Sequence, residues 1–104
     1  MSRPRYYWNG YIKQTLMRYP EKLDEHTMQG RIAINAISTA IAKTAISEYG
    51  DERLRFIDMV YFSKTHTLGG ACMVIGISDR TGQRWSQEFF NIVSEHMGFS
   101  EKVA

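Results

Sequence analysis

Apolar residues recur every three or four positions along most of the chain, which is the spacing of one face of an α-helix. The pattern predicts a first helix from Tyr6 that ends before Pro20, because the residue preceding a proline is pushed out of the α region. A longer helix is predicted over 28–48, with Thr27 available as its N-cap and Gly50 as its end. The first half of the chain is therefore expected to form two amphipathic helices joined by a polar connection.

The second half of the chain carries the same spacing in shorter pieces. A helix is predicted to begin at Asp51, as its N-cap, and to run to Phe62. Residues 67–90 then have the pattern of a short apolar helix, a sharp turn and a second helix. That second helix starts at Ser78 and closes at Gly98. The sequence predicts an all-α fold, a small helical bundle of about five helices with a C-terminal helix-turn-helix.

The functional interpretation depends on the helix-turn-helix. When Leu68 is counted as the first residue of a twenty-residue frame, the ninth is Gly76, where the turn needs a residue free to take positive φ. The fifth, where the two helices touch, must be small and is Cys72. Ser78 follows the turn and can accept a free N–H of the next helix. The positions expected to be buried are Ala71, Ile75, Ile77 and Trp85.

Two features depart from this frame. Gly82 stands where Val, Ile or Ala is usual, at a cost of about 1 kcal/mol in helix stability. Gly69-Gly70 lie in the first helix, where helix-forming residues are common. The alternative interpretation is therefore an antiparallel helix pair that serves packing alone.

Polar side chains occupy the face of the second helix opposite its apolar face. Arg and Gln make bidentate contacts with guanine and adenine edges, and a recognition helix presents them from its N-terminal half. The residues of this polar face are Asp79, Arg80, Gln83, Arg84 and Gln87. The residues predicted to contact phosphate are Lys64, Thr65 and Thr67, together with Arg3 and Arg5 of a basic N-terminal arm. A plain polar loop and a solvated terminus are the alternatives for these two phosphate-binding groups.

Length, charge and composition bound the function. The 104 residues are predicted to form a single domain, with N-terminal helices in 1–50 and the helix-turn-helix unit in 51–99. A net charge of +2 is weak for a DNA-binding protein, but the first twenty residues hold four bases and no acid. Neither a membrane span nor a signal peptide is recognisable. The single cysteine fits a reducing compartment, so we expect a cytoplasmic protein.

No cluster of residues in the sequence points to catalysis. Paired carboxylates, a Cys/His pair and a phosphate-binding glycine loop are not found, and the three histidines lack the spacing of metal ligands. The chain is therefore expected not to be an enzyme and to need neither a cofactor nor a metal.

Residues 53–62, Thr67-Leu68 and 76–85 together resemble region 4 of bacterial sigma factors. More narrowly, they are similar to the small phage late-gene regulators of the RinA and ArpU types, which carry a sigma-like helix-turn-helix at the C-terminal end. The resemblance covers about half of the chain, residues 51–99. Its pattern is met at Tyr61-Phe62, Thr67-Leu68, Gly76 to Trp85 and Met97-Gly98-Phe99.

The resemblance implies sequence-specific binding to double-stranded promoter DNA and activation of phage late genes, in contact with RNA polymerase in the cytoplasm of a bacterial host. The residues that it implies as base-reading, in the major groove, are Ser78, Arg80, Thr81, Gln83, Arg84 and Gln87. A competing hypothesis is an RNA polymerase-binding antiterminator or inhibitor that uses the helix pair without reading bases. The apolar arc of the 28–48 helix is wide and rich in Ala, which is typical of the central helix of a bundle. The alternative hypothesis is that part of this arc is the surface of a homodimer.

Overall fold

Five α-helices and one π-helical turn account for most of residues 9–98, the part of the chain that the structure, a computed structural model, describes. The helices are α1 (Asn9–Arg18), α2 (Met28–Ala45), α3 (Gly50–Ile57), α4 (Leu68–Ile75) and α5 (Asp79–His96). The π-helical turn Asp58–Phe62 directly continues α3. Strands do not occur between residues 9 and 98, so the predicted all-α bundle with a C-terminal helix pair is confirmed.

The two long helices, α2 and α5, form the centre of the bundle. Each is 18 residues long, and they pack against one another more extensively than any other pair of helices. Every helix contributes to a single hydrophobic core. Its fully buried side chains include Ile12 and Leu16 of α1, Ile37 of α2, Phe56 and Ile57 of α3, Cys72 of α4, and Phe89 and Val93 of α5.

The N-terminal half agrees with the sequence prediction at one helix end and differs at another. The Gly30 N–H donates to the hydroxyl of Thr27 over 2.9 Å, so Thr27 is the N-cap of α2 as expected. However, α2 ends at Ala45, and Gly50 begins α3 instead of ending α2. A Cβ on Gly50 would lie 2.6 Å from the Thr44 carbonyl oxygen, so glycine is needed where the chain folds back over the end of α2.

The start of α3 is a second correction. Asp51 lies inside the first turn of α3, and the N-cap position is held by Tyr49 in a left-handed conformation, without a side-chain hydrogen bond. The predicted start of the first helix, Tyr6, lies outside the described residues. Among the described helices, none combines the length and apolar character needed to cross a membrane.

Candidate nucleic-acid interface

The turn between α4 and α5 is a tight glycine turn with a capped second helix. Gly76 has φ of 86°, in the left-handed region that glycine adopts without strain. The Gly76 and Ile77 N–H groups both donate to the Cys72 carbonyl, at 2.8 and 3.0 Å. Ser78 is extended, and its hydroxyl accepts the Thr81 N–H at 3.1 Å. The predicted roles of Gly76 and Ser78 in the turn are both confirmed.

Two small residues let α4 and α5 touch. Cys72 is 1% exposed, and a Cβ on Gly82 would overlap its Sγ atom and lie 3.1 Å from the ring of Phe56. The glycine at position 82, which departs from the usual pattern, is therefore required by the closeness of three elements. The same burial raises the pKa of the Cys72 thiol, and the neighbouring charge of Asp79 raises it further, so the thiol is a neutral packing group.

The other two glycines that depart from the pattern have different surroundings. The Gly70 N–H donates to the Thr67 hydroxyl at 3.0 Å, which makes Thr67 the N-cap of α4. A Cβ on Gly69 would meet only Asp79 Oδ1, at 4.0 Å. Nothing in the structure requires glycine at position 69.

The four positions of the helix pair that were expected to be buried differ in exposure. Ala71 and Trp85 are buried in the core, as predicted. Ile75 and Ile77, on either side of the turn, are only half-buried and border a cavity that opens to solvent. The expectation of full burial is therefore wrong for these two residues, because the turn lies at the edge of the bundle.

Trp85 and Phe89 anchor α5 in the core, at 5% and 2% exposure. The ring of Trp85 meets an aromatic ring of α3 edge to face, with centroids 6.0 Å apart. Arg80, Gln83 and Arg84 lie on the exposed part of the same helix. The N-terminal half of α5 is thus held rigidly on one side and presents long polar side chains on another.

An ion-pair network flanks Arg84. The carboxylate of Glu88, one turn further along α5, accepts a hydrogen bond from Arg53 Nη1 of α3 and lies 3.9 Å from Arg84 Nε. The Arg53 guanidinium also stacks over Trp85, with its carbon 5.3 Å from the ring centroid. Arg84 is 63% exposed and its long pairing distance leaves it only loosely held. The side chain therefore has donors free to meet an external acceptor.

Three of the predicted base-reading residues have partners within the fold. Gln87 is half-buried: its amide exchanges hydrogen bonds with Asn9 of α1 at 2.7 and 3.2 Å and donates to Asn91 at 2.8 Å. Its role in the structure is to join α1 to α5. Ser78 and Thr81 serve the N-cap, and their hydroxyls lie 3.0 Å apart. The predicted base-reading residues that remain exposed without such a role are Arg80, Gln83 and Arg84.

The phosphate-binding candidates also make contacts within the chain. Lys64 has φ of 56°, and its Nζ donates to the Met17 carbonyl near the end of α1 at 2.8 Å. Thr65 Oγ1 is 2.8 Å from His66 Nδ1, and Thr67 caps α4. All three residues are exposed, so they are accessible to phosphate as well. Arg3 and Arg5 lie outside the described residues.

Sequence reasoning missed the partners of these side chains. The bonds from Gln87 to Asn9, from Lys64 to Met17 and from Arg53 to Glu88 join residues far apart in the chain, so no local pattern signals them. The exception is Arg84 with Glu88, whose spacing of four residues on a helix is a recognisable pairing signal.

Comparisons with known protein families, with functionally characterised proteins and with solved structures found no match to this chain. The likeness to sigma region 4 and to the phage regulators therefore stays a prediction from the motif residues. Within residues 9–98, no group of three His, Cys, Asp or Glu side chains is placed to hold a metal ion.

Proposed function

We propose that the protein binds double-stranded DNA through the N-terminal half of α5 and regulates transcription. The observation that carries the proposal is the exposure of Arg80, Gln83 and Arg84 together on a helix that follows a tight glycine turn and is anchored by Trp85. An α-helix fits the major groove, where Arg reads guanine and Gln reads adenine. The residues that we assign to base reading are these three.

The remaining predicted contacts supply affinity and position in this proposal. Lys64, Thr65 and Thr67 precede α4 and are exposed, as expected of residues that meet phosphate where the first helix crosses the DNA backbone. Arg3 and Arg5 precede α1, whose first residue, Asn9, is hydrogen-bonded to Gln87 of α5. We propose that these two arginines contact phosphates of the same DNA, because the residue at which α1 begins lies beside α5.

The biological setting that we propose is activation of phage late genes at a promoter, together with bacterial RNA polymerase. The resemblance of residues 51–99 to sigma region 4 supports this setting, since the same unit both binds promoter DNA and contacts polymerase in sigma factors. The cytoplasm of the bacterial host is the compartment that this activity requires.

Selection of bound sequences from random double-stranded DNA, with the full chain, tests the proposal. We expect a defined consensus. Arg84→Ala should weaken binding to it by about 1–3 kcal/mol and relax the preference at one base pair, because a bidentate Arg–guanine contact is lost. Arg55→Ala, which removes an exposed Arg of α3, is the matched control and should preserve the preference. Recovery of no consensus, or equal binding by wild type and Arg84→Ala, would contradict base reading by α5.

A second candidate is an RNA polymerase-binding antiterminator or inhibitor that does not read bases. The observation in its favour is α4, which has no charged residue and exposes Met73 and Val74 at 84% and 48%. Met73 and Val74 are adjacent in the chain, and contiguous exposed apolar surface is a mark of protein contacts. Met73→Lys/Val74→Lys should then abolish co-purification with polymerase, while random DNA yields no consensus. If DNA selectivity is intact in that variant, base reading is the better account.

A further inference from the structure

Helix α2 carries apolar residues outside the core as well as inside it. Its core face contains Ala33, Ala36, Ile37 and Ala40. A second set of residues, roughly on the opposite side of the helix, is separated alternately by four and three positions, and we call it the outer stripe. Its members are Met28, Ile32, Asn35, Thr39, Ala42 and Ile46. Alternation of four and three is the spacing of the a and d positions of a heptad, the seam along which two helices pack.

The outer stripe faces solvent and is apolar at both ends. Met28 is 70% exposed, Ile32 is 41% exposed and Ile46, just beyond the last turn, is 88% exposed. Ala42 is exposed too. A helix that only covers a core places polar and charged residues along its whole outer face.

The polar residues of the outer stripe lie at its middle. They are Asn35, which is exposed, and Thr39, which is half-buried. The charged residues of α2 are Arg31 and Lys43 alone, and both lie beside the stripe instead of in it. The stripe thus holds two uncharged polar residues between two apolar pairs.

We propose that the outer stripe is the interface of a homodimer in which the α2 helices of two copies pack antiparallel. The stripe is complementary to its own reverse. When the two helices run in opposite directions, Met28 of each copy faces Ile46 of the other, Ile32 faces Ala42, and Asn35 faces Thr39. Apolar residues therefore meet apolar residues at both ends, and polar residues meet at the centre.

The central pair gives the seam its register and direction. In the antiparallel arrangement the Asn35 amide can donate to the Thr39 hydroxyl of the other copy, and the two-fold axis repeats this bond. A polar Asn within an otherwise apolar seam fixes register at a cost in stability, because any slip leaves the amide facing apolar side chains. In the antiparallel arrangement the dipoles of the two helices point in opposite directions, and this also favours it over the parallel one.

The size of this seam fits a second copy of the chain. Eighteen residues of helix span about 27 Å, and two such helices bury roughly 1,000 Å² in total, the lower limit for a specific interface. We therefore expect a dimer with a dissociation constant in the micromolar range. Because the core face of α2 packs on α5, the outer stripe lies on the side of α2 away from α5. The outer stripe includes neither Arg80 nor Arg84, and dimerisation through it does not depend on DNA binding.

Charge substitutions at the two ends of the seam test both the interface and its direction. Met28→Lys/Ile46→Lys places like charges opposite each other in either direction, and should weaken the dimer at least tenfold. Met28→Glu/Ile46→Lys places opposite charges together only when the helices are antiparallel, and should bind more tightly than the double-lysine variant. Met73→Lys/Val74→Lys, on α4, removes a pair of exposed apolar residues outside the seam and is the matched control.

Sedimentation velocity over a series of concentrations measures association of the full chain, and circular dichroism confirms that each variant folds. A wild-type chain that stays monomeric up to about millimolar concentration would overturn the dimer, and so would a double-lysine variant that associates as strongly as the α4 control. Failure of Met28→Glu/Ile46→Lys to bind more tightly than the double-lysine variant would overturn the antiparallel direction. If a different protein covers the outer stripe in the cell, the purified wild-type chain should stay monomeric, which is the result that overturns the dimer.

Discussion

At the scale of single residues, the contact between Cys72 and Gly82 determines how closely α4 and α5 approach. A Cβ on Gly82 would overlap Cys72 Sγ and crowd Phe56. Gly82→Ala should therefore lower the free energy of unfolding by about 2 kcal/mol, because overpacking outweighs the gain of about 1 kcal/mol in helix propensity. Urea denaturation measures the change.

Two further variants show whether crowding is the cause. A Cβ on Gly10 in α1 would meet nothing within 4 Å, so Gly10→Ala should not destabilise the protein. Introduced into a Cys72→Ala background, Gly82→Ala should cost less than in the wild type, since the overlapping sulfur is gone. Additive effects of the two substitutions would show that Cys72 is not the obstacle.

Burial of Tyr61 should make the free energy of unfolding depend on pH in the alkaline range. Its side chain is 4% exposed, and burial raises the pKa of the hydroxyl above its ordinary value of 10.0, against a smaller lowering by its 2.9 Å hydrogen bond to Ser86. As the pH rises, the unfolded chain ionises first, so stability is full below about pH 10 and falls above it.

Between about pH 8 and pH 11, the free energy of unfolding should therefore fall less in Tyr61→Phe than in the wild type. At pH 8 the variant should be less stable than the wild type by about 1 kcal/mol, because the hydrogen bond to Ser86 is lost. Urea denaturation at both pH values gives the two differences. The exposed Tyr49 provides the control, since Tyr49→Phe should follow the wild type. An equal loss in wild type and Tyr61→Phe would remove Tyr61 as a source of the alkaline decline.

At the scale of elements, features that are set by neighbouring residues in the chain were predicted correctly, whereas a helix end that is set by a tertiary contact was not. Thr27, Gly76 and Ser78 were identified correctly because an N-cap or a tight turn leaves its mark within four residues. The end of α2 was predicted three residues late because Gly50 is required by close contact with the carbonyl oxygens of Thr44 and Ala45, which the sequence around it does not reveal.

The spacing of apolar residues also could not predict the π-helical turn after α3. Its apolar positions continue the α pattern, yet the Ser63 N–H donates to the Asp58 carbonyl five residues back, at 2.8 Å. The turn buries Met59 and Tyr61 together and lets Tyr61 reach Ser86 of α5. The requirement comes from the position of another helix, so only the assembled fold displays it.

The junction of α1 and α5 carries a prediction at this scale. Gln87 joins the two helices through Asn9, so Gln87→Ala should lower the free energy of unfolding by about 1 kcal/mol and leave base preference unchanged. Denaturation and DNA selection with the same variant measure the two effects. The exposed Gln83 is the opposite case, and Gln83→Ala should change preference with little effect on stability. A change of consensus in Gln87→Ala would return that residue to the base-reading set.

At the scale of the whole molecule, the distribution of charge decides how DNA would be bound. The net charge is only +2, but residues 1–20 hold four bases and no acid. In the proposed binding mode, most of the affinity for DNA comes from local phosphate contacts, and the sequence selectivity comes from α5. The same division separates two classes of arginine, those of the arm and those of the helix.

Arg3→Ala/Arg5→Ala tests that division. Loss of two phosphate contacts should weaken binding to all DNA sequences alike and reduce the slope of log K against log salt concentration by about 2, because each phosphate contributes about 0.9. Arg31→Ala/Lys43→Ala removes the same charge from α2, where Lys43 contacts His96 at the C-terminal end of α5, and should leave the slope nearly unchanged. Fluorescence anisotropy over a range of salt concentrations, on consensus and scrambled duplexes, gives both quantities. If the arm variant lost selectivity instead, the arm would be reading the minor groove, and base recognition would extend beyond α5.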